Sequence, residues 1–203
     1  MGRLGNYLRR ALGSEAESPN PNRAHSEELE TNFKTCCGLI DANKSSQLET
    51  MLDSYPLLVN FQGHGLDTLL IIAARAGSME AVRMLLKRGA NINATNQDGR
   101  TALLEAAQPR FTQLVAYLLQ KGANPAIYSK SRSSALLYAA RNVDGDLALT
   151  KLIVENARNG NLEAVVNHIV RISTPLKSVL DEVQVPDIKQ FLMDNGCYLI
   201  SSQ

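Results

Sequence analysis

A block of this sequence recurs at an offset of 33 residues. Lys-Arg-Gly-Ala-Asn at 87–91 returns as Gln-Lys-Gly-Ala-Asn at 120–124. Thr-Leu-Leu at 68–70 returns as Thr-Ala-Leu at 101–103 and as Ser-Ala-Leu at 134–136. A fixed period of this length is typical of arrays in which one small unit buries its apolar face only against its neighbours. The chain is therefore predicted to form a stack of repeats.

Apolar residues lie at i, i+3 and i+4 twice in each repeat, which predicts two short helices per unit. The first set is Leu70, Ala73 and Ala74, and the second set is Val82, Leu85 and Leu86. Alanine allows a neighbouring helix to approach closely. Gly89 directly follows the second helix, where a left-handed glycine commonly ends a helix. The segment 91–100 carries turn-forming residues and is predicted to project as a finger.

The order of these residues carries a family resemblance. Asp-Gly-Arg-Thr-Ala-Leu at 98–103 is followed by the alanine pair at 106–107 and by Gly-Ala-Asn at 122–124. This pattern resembles the ankyrin repeat, and the resemblance covers roughly residues 64–142. It implies an all-α fold: a solenoid of stacked helix-turn-helix units with hairpin-like fingers and divergent terminal caps. It also implies a protein-binding function on the concave side, where the fingers and first helices meet.

The chain is predicted to divide into an arm and a repeat domain. Pro19 and Pro21 interrupt the polar N-terminal segment, so residues 1–26 are expected to be a disordered basic and polar arm. The ankyrin-repeat domain is placed at 27–203. Its predicted parts are an N-terminal cap repeat at 27–62, repeats at 63–95 and 96–128, a divergent repeat at 129–160, and an irregular helical C-terminal cap at 161–203. The register of the helices between 143 and 175 stays open.

The sequence also departs from the family pattern. The family's Thr-Pro-Leu-His tetrapeptide ends here in residues other than histidine, so the histidine's hydrogen bonds are expected to be absent; those positions are Ile71, Leu104, Leu137 and Lys177. Leu66 and Arg132 replace the hairpin glycine, a position that favours positive φ. The first and third fingers are therefore predicted to be distorted or partly disordered, and only the finger at 96–100 to be regular.

The family's contact surface can be carried over by position to the fingers and to the inner sides of the first helices. The candidate partner-binding residues are His64, Asp67, Arg75, Gln97, Asp98, Arg100, Glu105, Gln108, Lys130, Ser131, Ser133, Tyr138, Arg141 and Asn142. Tyr138 is the strongest single candidate, because tyrosine often anchors an interface. The alternatives are solvated polar positions and, for Tyr138, a place in the core. Charge reversal at Arg100 and Arg141 is expected to weaken binding without unfolding the protein.

Composition argues against several other classes of function. A formal net charge of +1 gives no general attraction to nucleic acid. The three cysteines form an odd set without a secretory signal, which favours a reducing compartment, the cytoplasm or the nucleus. Adjacent Cys36 and Cys37 are poorly placed for tetrahedral zinc. No catalytic, metal or cofactor site is predicted, and no apolar run is long enough to cross a bilayer.

The predicted function is that of a monomeric, non-enzymatic protein-interaction module acting as a scaffold, adaptor or inhibitor; the sequence does not name the partner. Two alternatives stay open: a bacterial effector that binds in the same way in the host cytoplasm, and a small enzyme that uses the C-terminal helical segment at 143–203. A membrane contact or import signal would involve the basic segment between Arg3 and Leu12.

Overall fold

A computed structural model of the chain describes residues 21–140, 146–158, 183 and 185–195, and in these residues the fold is all-α, as predicted. Short 3-10 turns lie at Pro56–Val59 and His64–Leu66. No helix in the described segments is both long and apolar enough to cross a membrane. The α-helices, in chain order, are α1 (Pro21–Asp41), α2 (Ser45–Ser54), α3 (Leu69–Arg75), α4 (Met79–Lys87), α5 (Ala102–Ala107), α6 (Thr112–Gln120), α7 (Ala135–Ala140), α8 (Leu147–Arg158) and α9 (Pro186–Asp194).

The helices form two rows. The first helices of successive pairs (α1, α3, α5 and α7) pack against one another and are called the inner row; the second helices (α2, α4, α6 and α8) are called the outer row. Ala73, Ala106 and Ala139 of the inner row are completely buried. Because an alanine side chain is a single methyl group, the helix backbones approach closely at these positions. One hydrophobic core runs through the stack from Phe33 to Leu192.

Glycine ends two outer helices as predicted. Gly89 and Gly122 lie just beyond α4 and α6 and have φ values of 84° and 91°. At the end of α4 the Ala90 N–H donates to the Leu85 carbonyl at 3.0 Å and the Gly89 N–H donates to the Leu86 carbonyl at 3.1 Å. This is the Schellman arrangement, in which a left-handed residue lets two late carbonyls of the helix find donors. It turns the chain sharply toward the next finger.

Hydroxyl caps start the inner helices α3, α5 and α7. The side chains of Thr68 and Thr101 accept hydrogen bonds from the N–H groups of Ile71 and Leu104, both at 3.3 Å, and Ser134 repeats this cap at α7. Such a cap satisfies one of the free N–H groups at a helix start. Ile71 and Leu104 are buried where the family has histidine. Packing therefore replaces the histidine's hydrogen bonds, while the cap itself is retained.

The N-terminal boundary differs from the predicted one. Helix α1 begins at Pro21, so residues 21–26 are helical although they were assigned to the disordered arm. Proline is tolerated in the first turn of a helix because the N–H it lacks would have no partner there. Residues 1–20, including the basic segment, lie outside the described residues.

The fourth helix pair, α7 and α8, shows how part of the segment between 143 and 175 aligns with the preceding repeats. The buried residues Leu149 and Ile153 of α8 follow Leu114 and Leu118 of α6 by 35 residues rather than 33. The chain between α7 and α8 is therefore two residues longer than in the preceding repeat. Asp146 caps α8, since its side chain accepts from the Leu149 N–H at 2.9 Å. The predicted C-terminal cap at 161–203 lies outside the described residues except for Val183 and the segment containing α9.

Enlarging an alanine of the inner row should destabilise the stack. Ala106→Leu adds three carbons where α5 packs between α3 and α7, so overpacking should lower the free energy of unfolding by about 1–3 kcal/mol. Urea denaturation followed by circular dichroism measures this change. Ala148→Leu is the matched control, because Ala148 is exposed on α8 and its replacement should change stability by less than about 0.5 kcal/mol. Equal effects of the two substitutions would contradict the packing described above.

Candidate partner-binding face

The three fingers share one turn. In the second finger the Asn96 N–H donates to the Arg100 carbonyl at 3.0 Å and the Gly99 N–H donates to the Asn96 carbonyl at 2.9 Å. The same two hydrogen bonds occur between the corresponding residues of the first finger, at 63–67, and of the third, at 129–133. The prediction that the first and third fingers are distorted is therefore wrong.

The residues at the glycine position of the fingers adopt the left-handed conformation without being glycine. Leu66 and Arg132 have φ values of 60° and 62°, close to the 72° of Gly99. A non-glycine residue costs roughly 1–2 kcal/mol in this region. The repeated turn hydrogen bonds, and the stacking of each finger on its neighbour, outweigh that cost.

Adjacent fingers are hydrogen-bonded to each other. The Gln97 N–H donates to the Gly65 carbonyl at 2.7 Å, and the Lys130 N–H donates to the Asp98 carbonyl at 2.7 Å. One backbone hydrogen bond therefore joins the first finger to the second and an equivalent one joins the second to the third. The fingertips form a preordered surface, with His64, Gln97, Asp98, Lys130 and Ser131 all exposed.

A charge network lies at the base of the fingers. Its centre is Glu105 on α5, whose side chain is only 7% exposed. The Glu105 carboxylate accepts hydrogen bonds from Arg75 at 3.1 Å and from Arg100 at 2.8 Å. Arg75 also donates to both oxygens of Asp67, at 3.0 and 3.2 Å, and the Asn96 amide donates to Asp67 at 2.9 Å. The network thus joins two consecutive fingers to the inner helices α3 and α5.

Tyr138 extends this network to the next inner helix. The Arg100 guanidinium donates to the Tyr138 hydroxyl at 2.7 Å, and its central carbon lies 5.4 Å from the centroid of the tyrosine ring. Arg100 also donates to the side-chain oxygen of Gln108. Tyr138 is half-buried, between the two alternatives that the sequence left open, and its hydroxyl is used to position Arg100.

The network remains charged over the physiological range. Burial alone would raise the pKa of Glu105, but the hydrogen bonds and positive charges of Arg75 and Arg100 outweigh this effect and bring the pKa below that of an ordinary glutamate. Hydrogen bonds to Glu105 and Asp67 raise the pKa of Arg75. Burial lowers the pKa of Arg100, yet its hydrogen bonds to Glu105 and Tyr138 produce a net increase.

This pairing changes what a charge reversal would do. Arg100→Glu would place a second carboxylate beside Glu105 and remove the donor to Tyr138. Such a change is expected to disturb the fold, contrary to the expectation from sequence. The other residue chosen for reversal, Arg141, lies outside the described residues, as does Asn142.

An open groove of about 610 Å³, called the inner groove, lies beside the network. It is lined by Arg75, Asn96, Asp98, Arg100, Glu105, Gln108 and Pro109. Five of these residues belong to the contact set predicted from the sequence: Arg75, Asp98, Arg100, Glu105 and Gln108. His64, Gln97, Lys130 and Ser131 lie on the fingertips instead, and Ser133 is half-buried in the third finger.

Asn96 was missed by the sequence reasoning although it lines the inner groove. Its side-chain oxygen accepts from the N–H groups of Asp98 and Arg100, at 3.0 and 2.9 Å. This is an Asx-type turn, which the Asn-Gln-Asp-Gly sequence at 96–99 could have signalled. Asn96 therefore shapes the finger and also holds Asp67 at the base of the groove.

In the described parts of the chain, no group of three or more His, Cys, Asp or Glu side chains could hold a metal ion. Burial raises the pKa of Cys36 to about 11, which makes its thiol a weak nucleophile. In the C-terminal segment at 143–203, the alternative location for an enzyme site, Asp146 caps α8 and Glu155 is exposed. Glu163, His168, Asp181 and Glu182 lie outside the described residues.

Comparison with known proteins identifies the repeat. The family model of ankyrin repeats (three copies) matches residues 44–129 and 70–164. Together the two matches span 44–164, which is more than half of the 203 residues. No curated protein matches the sequence.

The left-handed position of the second finger can be tested with a matched pair of substitutions. Gly99→Ala should lower the free energy of unfolding by about 1–2 kcal/mol because of its positive φ. The added carbon would also lie 3.2 Å from the Lys130 nitrogen. Gly38→Ala, inside α1, meets nothing within 4 Å and should raise stability by about 0.5–1 kcal/mol. Urea midpoints that move in the same direction would contradict the finger geometry.

The charge network predicts a pH-dependent effect of Glu105→Gln. Because the folded pKa of Glu105 lies below its unfolded value of about 4.3, the carboxylate stabilises the fold above that pH. This contribution is lost as the pH falls through the folded pKa. Glu105→Gln should therefore lower the free energy of unfolding by about 1–3 kcal/mol at neutral pH. The difference in free energy of unfolding between the variant and the wild type should become smaller in acid.

Urea unfolding over a series of pH values measures this difference. Glu155→Gln, on the exposed surface of α8, is the control and should stay within about 0.5 kcal/mol of the wild type at every pH. A Glu105→Gln protein as stable as the wild type at neutral pH would show that the network does not hold the fingers and the inner helices together.

Proposed function

We propose, since this chain belongs to the ankyrin-repeat family, that it binds another protein through its inner face, the surface formed by the fingers and the inner row. Ankyrin repeats generally serve as protein–protein interaction modules and are typically not enzymes. The observation that carries the proposal is the inner groove of about 610 Å³, which opens between ordered fingers and the first helices.

Preorganisation supports this proposal. The hydrogen bonds between fingers, and the Glu105 network beneath them, fix the surface before a partner arrives. A surface that is already ordered loses little conformational entropy on binding, so more of the contact energy appears as affinity. The inner groove is thus suited to a partner that docks without remodelling the repeats.

The groove also indicates the chemistry of the partner segment. Glu105 and Arg100 are largely satisfied by each other, so they contribute shape more than free charge. Asp98 and Gln108 line the groove with exposed polar side chains, and Arg75 keeps 46% of its side chain accessible. A polar segment that offers both donors and acceptors fits this lining.

The role proposed for the protein is that of a scaffold, adaptor or inhibitor, acting as a monomer in the cytoplasm. Helix pairs and fingers account for most of the described residues, which supports a role in binding. Cys36 is a buried free thiol, which is consistent with a reducing compartment.

Affinity capture with a matched variant tests this proposal. The wild type is compared with Asp98→Arg/Gln108→Arg, two exposed residues that line the inner groove, after circular dichroism has shown that the variant keeps its helices, because Gln108 accepts a hydrogen bond from Arg100. The control is Asp41→Arg/Gln47→Arg, which makes the same change in charge at exposed positions of the first helix pair. Quantitative mass spectrometry should find proteins that are retained by the wild type and the control and lost with the groove variant. Equal retention by all three proteins would reject the inner face as the binding surface.

A further inference from the structure

A second open groove, of about 530 Å³ and here called the outer groove, lies on the outer row. It arises because α3 and α5 pack closely, whereas α4 and α6 make few direct contacts. Residues from α4, α6 and α8 line it: Met79, Arg83, Gln113, Ala116, Tyr117, Gln120, Leu152 and Asn156. The apolar part of this lining comes from Met79, Ala116, Leu152 and the ring of Tyr117.

Cations rest on aromatic rings along this outer surface. The guanidinium carbon of Arg83 lies 5.0 Å from the centroid of the Tyr117 ring, and the Lys121 ammonium lies 5.5 Å from the same centroid. The ammonium of Lys151 lies 5.7 Å from the centroid of Phe191 on α9. The Tyr117 ring, which lines the outer groove, therefore holds two positive groups beside it, and Phe191 holds a third positive group, that of Lys151 on α8.

The cations beside the outer groove differ from those of the inner face, and also from Arg88 at the end of α4, which pairs with Glu49 and Asp53 of α2. On the inner face Arg75 and Arg100 are bound to carboxylates. Among the described residues no carboxylate lies within ion-pair distance of Arg83, Lys121 or Lys151, although Glu80 and Glu155 are exposed on the same row. An aromatic ring orients a cation without cancelling its charge, so these groups can still attract an anion.

We propose that the outer groove binds an acidic peptide segment of a partner protein. Carboxylates of the segment face Arg83 and Lys121, and an apolar side chain of the segment enters between Met79, Ala116 and Leu152. Negative charge on the ligand complements these cations, which have no carboxylate partner in the described structure. The surface is independent of the inner groove, so the protein could bridge two partners.

The composition of the outer groove favours a peptide over other anionic ligands. Binding to nucleic acid depends on many phosphate contacts made by lysine and arginine. Recognition of anionic lipid typically uses clusters of about 4–8 basic residues. Here Arg83 and Lys121 lie at a groove whose lining is partly apolar, and such a mixture is typical of sites that take a short peptide.

An unbiased peptide selection on the full-length protein tests this inference. Random peptides of about 12 residues, displayed on phage, are selected against the wild type; the length suits a groove that spans three helices. The enriched peptides should be acidic and carry an apolar residue. Binding of one enriched peptide, labelled with fluorescein, is then measured by anisotropy with the wild type and with the variants.

The variant Arg83→Glu/Lys121→Glu should weaken this peptide at least about tenfold. The control Lys34→Glu/Lys44→Glu makes the same change in net charge at exposed positions outside both grooves and outside the fingers, and it should bind like the wild type. If circular dichroism shows that the charge-reversal variant is unfolded, peptide affinity is measured with Arg83→Gln/Lys121→Gln, which removes the two charges without reversing them. It should also lose affinity.

Several results would overturn the proposal. Enriched peptides without net negative charge would do so. An equal loss of peptide affinity in the lysine-to-glutamate control variant would do so too, because it would indicate general electrostatic attraction and no specific groove. Sedimentation with vesicles of phosphatidylcholine and phosphatidylserine that depends on Arg83 and Lys121, without selection of acidic peptides, would assign the surface to membranes instead. The variant Asp98→Arg/Gln108→Arg should retain full peptide affinity, so failure of the inner face and failure of the outer groove can be told apart.

Discussion

The close contact between buried alanines of neighbouring inner helices determines the rest of this structure. Ala73, Ala106 and Ala139 leave room for only a methyl group between backbones. This spacing brings successive fingers within hydrogen-bonding distance, 2.7 Å from Gln97 to Gly65. A larger side chain at these positions would separate the fingers as well as the helices. The binding face therefore depends on residues that no partner touches.

The same spacing explains why the two faces of the stack differ. On the inner face Glu105 lies between Arg75 of the preceding repeat and Arg100 of its own finger, and Arg100 reaches Tyr138 of the following repeat. Ion pairs and hydrogen bonds therefore join three repeats, and the groove beside them is already ordered before a partner binds. On the outer face the helices stand further apart, and Arg83 and Lys121 rest on Tyr117 instead of on a carboxylate. The inner face presents paired charges with a fixed shape, whereas beside the outer groove the described residues present two positive charges that have no carboxylate partner among them.

The repeat period, the helix pairs and the helix-ending Gly89 and Gly122 could be predicted from sequence, because they follow from local patterns that recur in register. The pairing of Glu105 with two arginines could not, since it depends on side chains that meet across repeats. The fingers at Leu66 and Arg132 were wrongly predicted because a local penalty for positive φ was considered without the hydrogen bonds that overcome it. The outer groove was missed for a similar reason: its residues come from three helices that only the stack brings together.

The most direct measurement of this account is the solvent accessibility of the inner-row alanines in the folded protein. Single cysteines introduced as Ala73→Cys, Ala106→Cys and Ala139→Cys can be compared with Ala148→Cys on the exposed side of α8. Thiol labelling is followed by peptide-resolved mass spectrometry, which separates these sites from the native cysteines. The three buried sites should react at least about a hundredfold more slowly, because reagent reaches them only after local unfolding. Labelling of all four sites at one rate, in a protein that retains its helical circular dichroism, would contradict the stacked arrangement.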